Sequence, residues 1–139
     1  MLRDAGDLRR SAAVLEPLVR DDASDLHSAD ALGQTYARMG QGRQAEAMFR
    51  RVLTASPNAA ATWNNLGALY LSANRGADAV EALSRAVAIN PELATAYNGL
   101  GVAYARQGQT DRAVQQWQKA LALRPDFADA RSNLDRIRR

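Results

Sequence analysis

A 34-residue period constrains this chain more than any other feature of its sequence. Trp63, Leu66, Gly67, Tyr70, Ala79, Leu83 and Pro91 return one period later as Tyr97, Leu100, Gly101, Tyr104, Ala113, Trp117 and Pro125, and one period earlier as Ala29, Leu32, Gly33, Tyr36, Ala45, Phe49 and Pro57. A unit of this length cannot bury a core alone, so successive copies must stack side by side into a solenoid with one continuous inner surface. The fold class expected is therefore all-α, an α-solenoid of helix-turn-helix repeats.

Within each period the apolar residues recur at helical spacing, which places first helices near 27–39, 60–73 and 94–107 and second helices near 43–55, 77–89 and 111–123. Gly40, Asn74 and Gly108 sit at the turn inside each repeat. There a helix exits through a left-handed residue that glycine tolerates best and asparagine next. Pro57, Pro91 and Pro125 stand just past the second helices, where proline cannot continue a helix and biases the preceding residue away from helical angles. A single domain spanning 1–139 follows, with repeats at 26–59, 60–93 and 94–127.

The two ends differ from the repeats. Over 1–25, Gly6, Ser11, Leu15 and Leu18 fall in phase with the turn and second helix of a further repeat, so a leading half-repeat is expected. Its first helix would lie outside the chain, which points to a fragment of a longer protein, a natural half-repeat cap being the alternative. Pro17 should kink or end that helix locally. Leu8, Ala12 and Leu15 should keep an apolar face without a partner, and such a face favours a homodimer through this end. At the other end, 128–139 reads as a capping helix in which Leu134 and Ile137 supply the apolar edge and Arg131, Asp135, Arg136, Arg138 and Arg139 the solvated one.

Composition narrows the function classes. The formal net charge is +3, acids are interspersed throughout, and Lys119 is the only lysine. This arginine- and alanine-rich usage points to a GC-rich, bacterial genome rather than to a nucleic-acid partner, because no long basic run appears. The chain contains no cysteine, which removes disulfides, thiolate nucleophiles and thiol metal sites. No apolar run reaches membrane-spanning length and no leader is recognisable, so a soluble chain without membrane insertion is expected, its compartment open and cytoplasmic only by default.

The pattern W-x2-L-G-x2-Y, followed by A-x3-aromatic or Leu and then P, resembles the tetratricopeptide repeat. The second and third repeats meet all seven positions, whereas the first has Ala29 in place of the opening aromatic and should pack less tightly there. The aromatic residues at these positions are explained by packing rather than by a base-stacking or cofactor role. The resemblance implies that first helices line a concave groove. Carried over position by position, it implies groove positions at His27, Asp30, Gln34, Ala37 and Arg38, then Ala61, Asn64, Asn65, Ala68, Leu71 and Ser72. It continues at Thr95, Asn98, Gly99, Val102, Ala105 and Arg106, and ends at Asp129, Ser132, Asn133 and Arg136.

Asn64, Asn65, Asn98 and Asn133 each offer a donor and an acceptor, a chemistry that can bind the backbone of an extended peptide without reading its side chains. The set looks like the asparagine-lined groove of the O-linked N-acetylglucosamine transferases, but the ladder is broken by Ala31 and Gly99. Chaperone-tail receptors of this family hold a terminal carboxylate with lysine, asparagine and arginine; the expected groove has no lysine, while Arg38, Arg106 and Arg136 would still favour an acidic segment.

Catalytic groupings are not recognisable. His27 is the only histidine, and Asp25 and Asp30 around it do not make a familiar metal-ligand set. No phosphate-binding glycine loop occurs, and Asp21, Asp22 and Asp25 fall in a linker where caps are expected. The expectation is a non-enzymatic protein-interaction module without cofactor or metal. A homotypic assembly scaffold and a substrate-recruiting arm of a larger enzyme remain as alternatives.

Overall fold

The computed structural model describes Leu2–Arg139; Met1, which opens the expected half-repeat, lies outside the described residues. The described residues form α1 (Leu2–Asp21), α2 (Leu26–Arg38), α3 (Gly42–Ala55), α4 (Ala60–Ser72), α5 (Gly76–Ile89), α6 (Ala94–Arg106), α7 (Thr110–Leu123) and α8 (Ala128–Ile137), and contain no strand. The helices of the three repeats begin and end within one residue of the expected limits.

The turns follow from their residues. Gly40, Asn74 and Gly108 take positive φ values of 76°, 59° and 77°. The next N–H then reaches back to the last turn of the helix: Gln41 to the Tyr36 carbonyl at 2.9 Å, Arg75 to Tyr70 at 2.8 Å and Gln109 to Tyr104 at 2.9 Å. Orphan carbonyls at each helix end are satisfied in this way. Before each proline the chain leaves the helix, Ser56 lying at φ −133°, ψ 79° and Asn90 at φ −128°, ψ 95°. Asp25 caps α2, its carboxylate accepting from the Ser28 N–H at 3.0 Å and the Ser28 hydroxyl at 2.6 Å. Those bonds hold its carboxyl below the usual aspartate range, and Ser24 does the same for Asp22.

Inside each repeat the first helix crosses the second where glycine meets a large side chain. A Cβ on Gly67 would lie 2.5 Å from Leu83 Cγ, and one on Gly33 would lie 2.6 Å from Phe49 Cε1. Ala45, Ala79 and Ala113, fully buried, let the paired helices approach closely. The opening aromatics are fixed from outside. Trp63 donates its indole N–H to the Pro57 carbonyl at 2.8 Å, and the Arg85 guanidinium lies 5.0 Å from its ring centre. Lys119, one period after Arg85, covers Tyr97 at 5.7 Å in the same manner. In the first repeat Ala29 offers no ring, and the equivalent Arg51 turns instead to the Val19 carbonyl of α1 at 3.4 Å.

The leading helix departs from expectation in three respects. Gly6 lies inside α1 and forms no turn, and the helix runs through Pro17 to Asp21 without ending there. The face expected to be free is also not free: Ala12 and Val19 are buried, and Leu15 packs against the core. α1 packs this face onto α2, as α3, α5 and α7 pack onto the helices that follow them, and Tyr36 donates to Glu16 across the contact at 2.8 Å. Among the described residues of α1, the large apolar side chains left in solvent are Val14, 65% exposed, and Leu18, 46% exposed. At the far end Phe127, Ala130 and Leu134 are buried and close the core over Trp117 and Ala120.

Candidate functional site

The first helices α2, α4, α6 and α8 lie side by side along one surface of the solenoid. Between α2 and α4 opens a cleft of about 310 Å³ lined by Gln34, Ala37, Arg38, Phe49, Asn65, Ala68, Leu69 and Ser72. A second cleft of about 570 Å³ opens between α6 and α8, lined by Val102, Ala105, Arg106, Thr110, Trp117, Asn133, Arg136 and Ile137. Residue for residue the two correspond at a separation of two repeats, or 68 positions: Gln34 with Val102, Ala37 with Ala105, Arg38 with Arg106, Phe49 with Trp117, Asn65 with Asn133 and Ala68 with Arg136. Each combines an apolar floor with one asparagine; one arginine borders the first cleft and two border the second.

The intervening junction, between α4 and α6, is built differently. Leu71 stands where the clefts have Ala37 and Ala105, Leu83 where they have aromatic rings, and Gly99 where they have asparagine. A Cβ on Gly99 would meet Leu83 Cδ1 at 2.9 Å and Leu71 Cδ1 at 3.6 Å. Arg106 reaches across and donates to the Leu71 carbonyl at 2.7 Å. Leu71 is half-buried against the core. Among the expected groove positions, Leu71 and Gly99 are thus packing residues at this junction.

The polar groove residues separate into two sets. Asp30, Asn64 and Asn98, one period apart, each bond to the next repeat: Asp30 accepts from the Thr62 hydroxyl at 2.9 Å, Asn64 donates to Thr95 Oγ1 at 3.1 Å, and Asn98 accepts from Asn133 Nδ2 at 3.0 Å. Asp30 accepts from Gln34 Nε2 as well, at 2.7 Å. These side chains, expected to face a ligand, form a ladder that ties neighbouring first helices together. Asn65 and Asn133 line the clefts, Asn133 also serving the ladder. His27, Ala61, Asp129 and Ser132 are exposed and line neither cleft.

The sequence marks Phe49 and Trp117 as packing residues and Ile137 as part of the capping helix's apolar edge, and singles out neither Leu69 nor Thr110. All five line the clefts. The two rings are 1% and 3% exposed, so they pack within their repeats and present an edge as floor. Their common place in the period was the available signal.

An electrostatic cluster bridges α3 of the first repeat and the turn of the second. Glu46 accepts from the Tyr70 hydroxyl at 2.8 Å, from Arg50 at 3.0 Å and from Arg75 at 3.1 Å; Arg75 also pairs with Asp78 at 2.8 Å and lies 4.4 Å from the Tyr70 ring centre. Burial opposes the charge on Glu46, but the three donors outweigh it and lower its pKa. Burial, then the Glu46 bond, raises that of Tyr70. Among the described residues no group of three or more histidine, cysteine or carboxylate side chains is placed to hold a metal ion, and no helix is long and apolar enough to cross a membrane.

Comparison with known proteins places this geometry. Two tetratricopeptide-repeat family profiles match, one over residues 31–94 and one over 94–127. No curated protein matches the chain. Among solved structures, MamA superposes with a TM-score of 0.87 at 24% identity, over 97% of this chain and 79% of that one. The first repeat domain of Spaghetti (RPAP3), bound to the HSP90 peptide SRMEEVD, gives 0.80 at 22% identity over 84% and 93%. The second such domain of human RPAP3, in complex with the HSP70 peptide SGPTIEEVD, gives 0.76 at 20% identity over 82% and 98%.

Proposed function

Because this chain belongs to the tetratricopeptide-repeat family, we propose that it is a protein-interaction module that holds an extended segment of a partner polypeptide along the surface formed by α2, α4, α6 and α8. The observation that carries this reading is the pair of open clefts, each an apolar floor beside an amide and an arginine. Gln34, Arg38, Asn65 and Ala68 receive the segment at one end, and Val102, Arg106, Asn133 and Arg136 at the other. Asp30, Asn64 and Asn98 hold the first helices in register beneath it. A surface fixed by inter-repeat hydrogen bonds binds without a large ordering cost.

An acidic segment fits best, since neither cleft is lined by a carboxylate. The HSP90 and HSP70 peptides held by the RPAP3 domains carry adjacent glutamates and a terminal aspartate. The charged part of recognition here rests on arginine, because Lys119 lies on α7 over Tyr97.

A photoreactive residue at Ala68, compared with one at the exposed Ala88 of α5, tests the reading in extracts of the host cell. A partner cross-linked from position 68 and not from 88 is expected. Cross-linking from 88 alone would move recognition to the outer face.

A second reading, homotypic assembly, is favoured by Val14 and Leu18 on α1. Sedimentation of the chain beside a Val14→Asp, Leu18→Asp variant tests it, and a monomer in both at high concentration would exclude it.

A further inference from the structure

We propose that the two clefts work as a two-point ruler, selecting a single extended acidic segment that carries two aliphatic–acidic pairs six residues apart. This rests on the groove reading above and specifies what the groove selects. The clefts share one chemistry: Phe49 with Leu69 floors the first and Trp117 with Ile137 the second, Asn65 and Asn133 flank them, and Arg38, Arg106 and Arg136 border them. An aliphatic side chain suits such a floor, and a neighbouring carboxylate suits the arginine. Asp30, a carboxylate of α2, is engaged by Gln34 and Thr62, and Arg106 uses one N–H on the Leu71 carbonyl, which leaves its other donors for the ligand.

The closed junction sets the spacing. If the α4–α6 boundary repeated the cleft, side chains could enter at every repeat; Leu71, packed beside Gly99 and Leu83, removes that middle position. The remaining clefts lie two first-helix steps apart. Packed helices are separated by about 8–10 Å, so the span is roughly 16–20 Å. An extended chain rises about 3.3 Å per residue and alternates its faces, so two side chains on one face that bridge this span are about six residues apart. A separation of five would turn the second side chain away from the solenoid, and four would fall short.

The test uses the full chain and labelled synthetic peptides of glycine and serine bearing two Leu-Asp pairs, with the leucines four, five, six or eight residues apart, beside a peptide with one pair. Fluorescence anisotropy should give the six-residue peptide an affinity at least about tenfold above the single-pair peptide, because the second contact becomes intramolecular. The other spacings should remain within about threefold of the single pair. Ala37→Leu and Ala105→Leu each place in a cleft the residue that fills the middle junction, and either should return the six-residue peptide to single-pair affinity.

Equal affinity for all spacings in the unaltered chain would overturn the ruler, and that measurement needs no variant to fold. The groove reading stands in that case if position 68 still cross-links its partner. Binding that follows the six-residue spacing yet survives both leucine substitutions, with melting unchanged, would also overturn the assignment of these clefts.

Discussion

Gly101 faces the indole of Trp117 with no room for a methyl group between them. A Cβ at Gly101 would lie 2.6 Å from both Trp117 Cδ1 and Cε2 and closer still to Nε1. The ring cannot step aside, since its N–H donates to the Asn98 carbonyl at 3.2 Å and the side chain is 3% exposed. Gly101→Ala should therefore cost about 1–3 kcal/mol, the usual range for overpacking. Gly6→Ala is the opposing case: Gly6 lies within α1 with nothing near its Cβ position. There alanine should add roughly 0.5–1 kcal/mol through helix propensity. Urea midpoints of both variants check the pair, and a Gly101→Ala chain as stable as the parent would show that the repeat can widen.

Glu46 makes the contact between the first and second repeats dependent on acid. Its folded pKa is lowered, against the opposing effect of burial, by Tyr70, Arg50 and Arg75. The stability it contributes is therefore fully present above the ordinary glutamate value of 4.5 and is lost as pH falls through the lowered folded value. Glu46→Gln should cost roughly 1.5–3 kcal/mol at neutral pH, the range for hydrogen bonds to a charged group. The gap between variant and parent should close as the solution is acidified. Denaturation midpoints across that range measure it.

Tyr36 produces the opposite dependence, at alkaline pH. Burial, then its bond to Glu16, pushes its pKa from 10.0 to about 12. Folding thus favours the protonated phenol, and the contribution is present below pH 10, then lost as pH rises through about 12. Tyr36→Phe should lower stability at neutral pH and shrink that difference across the alkaline interval. Tyrosinate absorbance should lose one late-titrating group in the variant, while Tyr70, also raised, still titrates late.

The helices and turns were legible because the same chemistry occurs at the same place in every period: Gly40, Asn74 and Gly108 at the turns, and small residues where helices cross. The site was less legible for the same reason. A period treats Ala37, Leu71 and Ala105 as equivalent, yet their difference in volume decides which junction is open. Asn64 and Asn65 are adjacent and chemically identical, and only the distance to Thr95 shows that one is engaged across repeats. Gly6 stands in phase with the turn glycines yet lies inside α1, so phase in the period does not by itself mark a turn.

The capping helix should behave as part of the core. Leu134 is 4% exposed and closes over Trp117, Phe127 and Ala130. Leu134→Ala should cost about 2–5 kcal/mol, as buried leucines do. Because stability in a solenoid passes through nearest-neighbour interfaces, hydrogen exchange in α6 and α7 should rise more than in α2 and α3. A uniform rise would instead show that the solenoid unfolds as one unit.

The ladder and the clefts can be separated by two asparagines. Asn98 bonds to Asn133 across the α6–α8 junction, so Asn98→Ala should cost about 0.5–1.5 kcal/mol, the net value of one such bond. Asn65 lines a cleft on the half-exposed surface of α4. Asn65→Ala should leave stability within about 0.5 kcal/mol of the parent. Peptide affinity should respond in the opposite order: the Asn65 variant loses a direct partner for the peptide backbone, whereas the Asn98 variant changes the cleft only through the freed Asn133 amide. Thermal melting and peptide titration on the same two proteins measure both effects. A large melting loss for Asn65→Ala with unchanged affinity would reassign it from the groove to the ladder.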